Sequence, residues 1–124
     1  MIELTHSFVY AKSLYVESKS YPEQSHYVFT YTIVIRNMNK FPIKFIRRYW
    51  LITDGDGREV EIHGEGIEIK PCVLSGCEFR YTSGLVLETP IGTMQGYYIM
   101  ANELGEKFNL EIPIFRVAIR SYVH

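Results

Sequence analysis

The chain has 124 residues, of which 47% are hydrophobic and 22% charged, and this composition excludes a disordered tail. Thirteen basic and 14 acidic residues give a formal net charge of -1, so no global field would draw the protein onto nucleic acid or a membrane surface. The length fits one domain, residues 1–124, that can bury a core without disulfides or a structural metal.

Alternating apolar residues, at the period of a β-strand, predict an all-β fold. No segment carries apolar residues at helical spacing over three turns. Pro113 places the last predicted strand at a sheet edge or at a bulge, because proline cannot donate to a ladder. The predicted strands, about seven or eight at the spacing of an antiparallel β-sandwich, are 5–17, 27–36, 43–54, 59–63, 77–87, 92–101 and 107–119.

The predicted core follows from the same alternation. In the strand from Tyr27 to Arg36, every second side chain is large and apolar, and this face is assigned to the core. Trp50 is the only tryptophan, and we interpret it as core packing between the sheets and not as a ligand contact. The residues predicted to lie in or beside the core are Phe29, Tyr31, Ile33, Trp50, Phe79 and Tyr81.

The strand from Ile43 to Ile52 is predicted to be covered on both faces. Strict alternation gives two apolar sets, Phe45, Tyr49 and Leu51 against Ile46, Trp50 and Ile52. Only one set can face the core, so the other predicts a homodimer or a different protein partner.

The predicted strands 43–54 and 59–63 form a hairpin around Asp54, Asp56 and Arg58. Two Asp-Gly pairs indicate a tight turn. The acidic residues also resemble the start of a calcium loop, but Arg58 occupies the place of the third oxygen ligand, which favours the turn. We assign the three residues to a ligand or partner surface.

His63, Gly64, Glu65 and Gly66 follow this hairpin and suggest a second part of that surface. Ile69 stands where a dinucleotide-binding G-x-G-x-x-G motif requires its third glycine, and no helix pattern follows. His63 could share a divalent ion with Glu61 and Glu65. Surface carboxylates beside a histidine are common without metal, so no metal or cofactor is predicted.

The segment 88–96 is predicted to be an ordered loop entering a strand. Thr89, Thr93 and Gln95 offer hydrogen-bonding groups beside the rigid Pro90 turn, which is typical of recognition. The alternative interpretation is that these side chains only cap exposed backbone.

Five motifs are similar to those of the ApaG family, also called CorD. They are RYWLITDGDGRE (48–59), HGEG (63–66), YTSG (81–84), ETPIGTMQGYYIM (88–100) and IPIFRV (112–117). The resemblance runs nearly end to end and implies a fibronectin type III-like, immunoglobulin-like β-sandwich. It also implies relatives in which the domain is fused to F-box or polymerase-delta-interacting proteins. Family members resemble G-E-G-x-x-G-x-x-P after the hairpin, and the missing third glycine here counts against a loop that cradles phosphate.

These observations predict a non-enzymatic protein-interaction domain. The resemblance supplies no catalytic residues, and the sequence shows no paired acid and base or nucleophile elbow. The alternative is a domain that binds a small anionic ligand, a nucleotide or polyphosphate, or a divalent metal, since the family is linked with magnesium and cobalt homeostasis. The first ten residues lack the pattern of a leader peptide, so we expect a cytoplasmic location. The predicted interaction function implies a protein partner.

Overall fold

The computed structural model describes residues 7–64 and 71–119, and these form two antiparallel β-sheets packed as a sandwich. The strands are β1 (Ser7–Tyr15), β2 (Tyr27–Asn37), β3 (Ile43–Asp54), β4 (Glu59–Gly64), β5 (Cys72–Val73), β6 (Glu78–Leu87), β7 (Ile91–Ala101) and β8 (Lys107–Ala118). One sheet has the order β1-β2-β6, and the other has the order β4-β3-β7-β8 with β5 paired to β3. The all-β prediction is confirmed, and helical structure in the described residues is limited to 3-10 turns at 17–19 and 22–24.

The core lies between the two sheets, where the alternation in β2 predicts it. Phe29, Tyr31 and Ile33 are all buried. Phe79 packs against the core as a partly buried side chain, and Tyr81 beside it is half-buried. The predicted membership of the core and its border is therefore confirmed.

A β-bulge in β3 corrects the predicted division of that strand into two faces. The register with β7 shifts between Phe45 and Arg47, and Phe45 is fully buried. Because the bulge adds one residue, Phe45 and Trp50 face the core together. The apolar set on the outer face is therefore reduced to Tyr49 and Leu51.

A second bulge accommodates the proline of β8. The pairing of β7 with β8 shifts between Met94 and Gly96, opposite the segment that contains Pro113. β8 also forms the edge of its sheet. Pro113 therefore lies at an edge and at a bulge, as the sequence predicts.

Gly96 is required by the close approach of β7 to β3. A Cβ added at this position would collide with the carbonyl oxygen of Tyr49 and lie 3.1 Å from the Cα of Trp50. We expect Gly96→Ala to lower the free energy of unfolding by about 1–3 kcal/mol, since the two backbones would have to separate. Urea unfolding followed by tryptophan fluorescence measures this change.

Gly84 provides a matched control for that substitution. It also lies within a strand, but an added Cβ would meet only the carbonyl oxygen of Phe29, at 3.9 Å. Gly84→Ala should leave the free energy of unfolding unchanged within about 0.5 kcal/mol. Equal losses at the two glycines would show that the effect is not caused by the approach of β7 to β3.

Candidate interaction surface

The outer face of the five-stranded sheet carries a row of three rings. The strand register places Tyr49 of β3 directly between His63 of β4 and Tyr97 of β7. The ring centroids of Tyr49 and His63 are 4.9 Å apart, and those of Tyr49 and Tyr97 are 5.1 Å apart. We call these three residues the aromatic platform.

Tyr49 is held in place by a carboxylate next to the platform. Its hydroxyl donates a 2.8 Å hydrogen bond to Oε2 of Glu61, and the Nε2 atom of His63 lies 3.7 Å from the same oxygen. The hydrogen bond to Glu61 raises the pKa of Tyr49, because it favours the neutral phenol. Tyr49 therefore presents a neutral, oriented ring.

An open groove of about 180 Å³ lies beside the platform. Tyr49 and Tyr97 line one part of it, and the rest is lined by Leu51, Gln95, Gly96, Glu111 and Ile112. The groove combines half-buried aromatic and aliphatic surface with an amide and a carboxylate. This mixture of an apolar centre and polar edge is typical of protein-binding surfaces.

Acidic side chains border the platform. Glu59 and Glu61 lie on β4, and Glu111 of β8 pairs in register with Tyr97. All three residues are exposed. These three carboxylates offer ion-pairing positions to arginine or lysine of a partner, on a face that also carries Arg47 and Arg116.

The structure places Thr93 and Gln95 on the same face as the platform. The predicted loop at 88–96 is shorter than expected. Residues 88–90 form a bend, and β7 begins at Ile91. Thr93 pairs with Thr53, and Gln95 pairs with Leu51 next to the groove. Two of the predicted surface residues therefore extend the platform.

The predicted residues of the hairpin tip come together in a separate network. The carboxylate of Asp54 accepts hydrogen bonds from the backbone N–H groups of Asp56 and Arg58 and from Nε of Arg58, at 2.8 to 3.0 Å. Thr89 accepts from the N–H of Gly55 at 2.8 Å and donates to the carbonyl oxygen of Ile91. These groups stabilise the turn, and their place in a partner surface stays a prediction.

Asp54 should make the hairpin sensitive to acid. Burial raises the pKa of Asp54, but hydrogen bonds from Arg58 and Asp56 outweigh burial and lower that pKa overall. A lowered pKa contributes stability above the ordinary value near 3.9, and this contribution is lost as the pH falls through the native pKa. We expect Asp54→Asn to melt at a lower temperature than the wild type at neutral pH, with the difference shrinking as the pH falls below about 4 and disappearing once the pH is below the native pKa of Asp54.

Thermal unfolding of both proteins across this pH range checks the expectation. Asp56→Asn is the control, because Asp56 is 70% exposed and contacts Arg58 only at 3.4 Å. A difference between Asp54→Asn and wild type that does not change with pH would contradict the assigned role of the carboxylate.

The remaining predicted site residues are only partly described. His63 ends the ring row, and Gly64 ends β4. Glu65 and Gly66 lie outside the described residues, so the predicted surface loop and the alternative metal set of His63, Glu61 and Glu65 are not tested. Within residues 7–64 and 71–119, no group of three His, Cys, Asp or Glu residues is arranged to hold a metal ion.

Sequence reasoning placed Tyr49 in one of the two apolar sets of its strand, but it missed Tyr97 and Glu111 and the contacts that join them to Tyr49 on the outer face. Their alternation on predicted strands was visible, but their contacts depend on which strands are neighbours and on the register between them. Within the described part of the chain, no helix is long and apolar enough to cross a membrane.

Known proteins match this chain over most or all of its length. A family model described as the ApaG domain matches residues 17–102. Two relatives called Protein ApaG, from Sodalis glossinidius and Escherichia coli O1:K1 / APEC, are 50% and 45% identical over 125 residues, covering 100% of both chains. A crystal structure from Bordetella pertussis, described as ApaA, superposes with a TM-score of 0.89 at 41% identity and covers 92% of this chain and 94% of that chain.

Proposed function

The chain belongs to the ApaG family, and we propose that it acts as a non-enzymatic protein-interaction domain. The aromatic platform is the observation that carries this proposal. Three adjoining rings on an outer sheet face, next to a groove of mixed polarity, supply the rigid aromatic contacts that concentrate binding energy at protein interfaces. Core packing between the sheets does not require this surface, because it lies on the other face of the same strands.

We infer that the sandwich is of the fibronectin type III kind. In such sandwiches strands A, B and E share one sheet, while C, F and G share the other. The orders β1-β2-β6 and β4-β3-β7-β8 match this division if β3, β7 and β8 are strands C, F and G. Domains of this architecture commonly act as binding modules, which supports the proposed function by analogy.

The proposed partner is a cytoplasmic protein with an apolar or aromatic segment flanked by arginine or lysine. Its apolar part would cover Tyr49 and Tyr97, and its basic residues would approach Glu59, Glu61 and Glu111. Rim charges of this kind contribute to association rate and specificity more than to affinity. Binding should therefore weaken as the salt concentration rises.

Quantitative affinity capture tests the proposal. The wild type and the double variant Tyr49→Ala/Tyr97→Ala are immobilised and exposed to the same lysate, prepared from the organism that encodes this protein. We expect the wild type to capture a specific protein that the double variant captures at least about tenfold less. A tenfold loss of affinity corresponds to about 1.4 kcal/mol of binding free energy. Capture that is unchanged by the double variant would remove the platform from the interface.

Two further variants separate the parts of the predicted surface. Thr93→Ala/Gln95→Ala changes the sheet face, whereas Arg58→Ala changes the hairpin tip. Reduced capture by the first variant alone would limit the interface to the sheet. Unchanged capture by both folded variants would exclude these residues from the interface.

The alternative functions and self-association need separate measurements. A thermal-shift screen with nucleotides, polyphosphates and divalent ions tests small-ligand binding. Sedimentation at high protein concentration tests the predicted homodimer. A strict monomer in that experiment would leave a heterologous partner as the occupant of the outer face.

A further inference from the structure

The strand β4 forms one edge of the five-stranded sheet. It pairs with β3 on one side, and none of the described strands pairs with its other side. The N–H of Asp54 donates to the carbonyl oxygen of Arg58 at 2.9 Å, which fixes the alternation of backbone groups along the hairpin. Since only every second residue of an antiparallel strand bonds to a given neighbour, Glu59 and Glu61 direct their N–H and C=O groups away from β3. The edge therefore offers backbone donors and acceptors to an additional strand.

The side chains on the inner face of this edge are apolar. Val60 and Ile62 pair in register with the core residues Ile52 and Trp50, so they lie on the inner face of the sheet. Val60 is nevertheless 56% exposed, and Ile62 is only partly buried against the core. A strand added to the edge would place every second side chain beside these two residues and cover them.

An open groove of about 220 Å³ lies next to Val60. Its apolar lining comes from both sheets, with Ile52 and Val60 on one side and Val86 and Leu87 on the other. Its charged lining belongs to the hairpin tip, where Arg58 is already paired with two carboxylates of the same lining. The groove therefore has room for an apolar side chain that projects inward from a strand added to β4.

The side chains on the outer face of the same edge are acidic. Glu59 and Glu61 are both exposed, and no lysine or arginine lies on β4. Antiparallel pairing with β4 of a second copy would bring the glutamates of the two copies next to one another, which is destabilising. Lysine or arginine on an added strand would instead form ion pairs with them. Charge complementarity therefore favours a basic segment of another protein over a second copy of this chain.

We propose that an extended segment of the partner protein adds a strand to β4, with apolar side chains beside Val60 and Ile62 and lysine or arginine beside Glu59 and Glu61. Main-chain hydrogen bonds supply affinity in this mode of recognition, and the alternating side chains supply specificity. The inference rests on the proposed function, because it states how the partner is bound. β4 also carries His63 of the aromatic platform, so one partner can contact the edge and the platform together.

Two synthetic peptides of the same composition test this arrangement on the whole chain. The first is Lys-Val-Lys-Val-Lys and the second is Val-Val-Lys-Lys-Lys, both with blocked ends. Nuclear magnetic resonance follows the backbone amides of Glu59 and Glu61. We expect the first peptide to slow their exchange with solvent at least about tenfold, in a saturable manner. The second peptide should not do so, because an extended chain of that sequence cannot place all its lysines on one side and its valines on the other.

Methylation of the peptide backbone separates strand pairing from attraction between charges. In a paired strand only alternate amides face the neighbour, so methylating the two valine amides and methylating two lysine amides should have different effects. We expect one methylated form of the alternating peptide to bind at least about tenfold more weakly than the other. Equal binding of the two forms would overturn the proposal.

Glu59→Lys should weaken binding of the alternating peptide at least about threefold, because a cross-strand attraction becomes a repulsion. Glu103→Lys makes the same charge change in the exposed turn between β7 and β8 and should leave binding unchanged. Equal effects of these variants, or no slowed exchange at Glu59 and Glu61 with the alternating peptide, would overturn the proposal. Capture that still depends on Tyr49 and Tyr97 would then support the proposed function alone, so the two proposals fail separately.

Discussion

Replacing Trp50 with alanine is expected to lower the free energy of unfolding by about 3–5 kcal/mol, as for other large aromatic side chains removed from a core. Trp50 is 1% exposed and lies between the sheets. Its ring makes edge contacts with Tyr31, Tyr98 and Phe115 at centroid distances of 5.5, 6.2 and 6.1 Å. The substitution removes all three contacts and leaves a cavity that strands from both sheets cannot close without moving.

Urea unfolding followed by circular dichroism measures this loss, because the variant lacks the fluorescent indole. Trp50→Phe is the matched control and should lose less, since it keeps a ring in the same space. A loss for Trp50→Ala below about 1 kcal/mol would contradict the burial of Trp50 at the centre of the core.

The second large effect is expected at Asn37, a fully buried polar residue at the end of β2. Its Nδ2 donates to the carbonyl oxygens of Phe41 and Val73, both at 2.9 Å, and its Oδ1 accepts from the N–H of Asn39 at 3.0 Å. Asn37→Ala removes the side-chain partner of each of these backbone groups within a buried site. We expect the free energy of unfolding to fall by about 2–4 kcal/mol, because a buried polar group without a partner costs more than its hydrogen bond contributes.

Asn102 provides a comparison for Asn37, because its Oδ1 also accepts backbone hydrogen bonds, from Leu104 and Glu106 at 3.0 Å. That turn is exposed, and water can replace the lost bonds. Asn102→Ala should therefore cost about 1 kcal/mol or less in the same urea experiment. Equal losses at the two positions would contradict the role assigned to the buried network of Asn37.

Local sequence patterns were sufficient to predict most strands. The alternation in β2 is uninterrupted, and its core face was predicted correctly. The Asp-Gly pairs predicted the turn between β3 and β4, where the carbonyl oxygen of Asp54 accepts from the N–H of Gly57 and Gly57 has a φ of 86°. Each of these features depends on residues that are close together in the chain.

Features that depend on pairing between distant segments could not be predicted in the same way. The bulge near Phe45 has no local signal, so strict alternation assigned that residue to the wrong face. β5 has only two residues, and it forms because Cys72 and Val73 meet the start of β3. Two residues are too few for a period to be recognised.

The candidate site was the least predictable part. The polarity of Thr93 and Gln95 and the nearby Pro90 turn predict either recognition or backbone capping, and the structure places both residues on the outer face. Tyr49 and Tyr97 could not be linked, because their contact depends on the β3–β7 register.

The central claim is that the outer face of the five-stranded sheet binds a protein partner. Site-specific photo-crosslinking tests this claim most directly. A photoreactive phenylalanine analogue is introduced at Tyr97, within the platform, or at Thr82, on the outer face of the other sheet opposite Thr32. We predict that one protein becomes crosslinked at position 97 and not at position 82, and that an excess of unmodified wild-type chain competes with this product. The absence of a competed product at position 97, or an equal yield at the two positions, would contradict the claim.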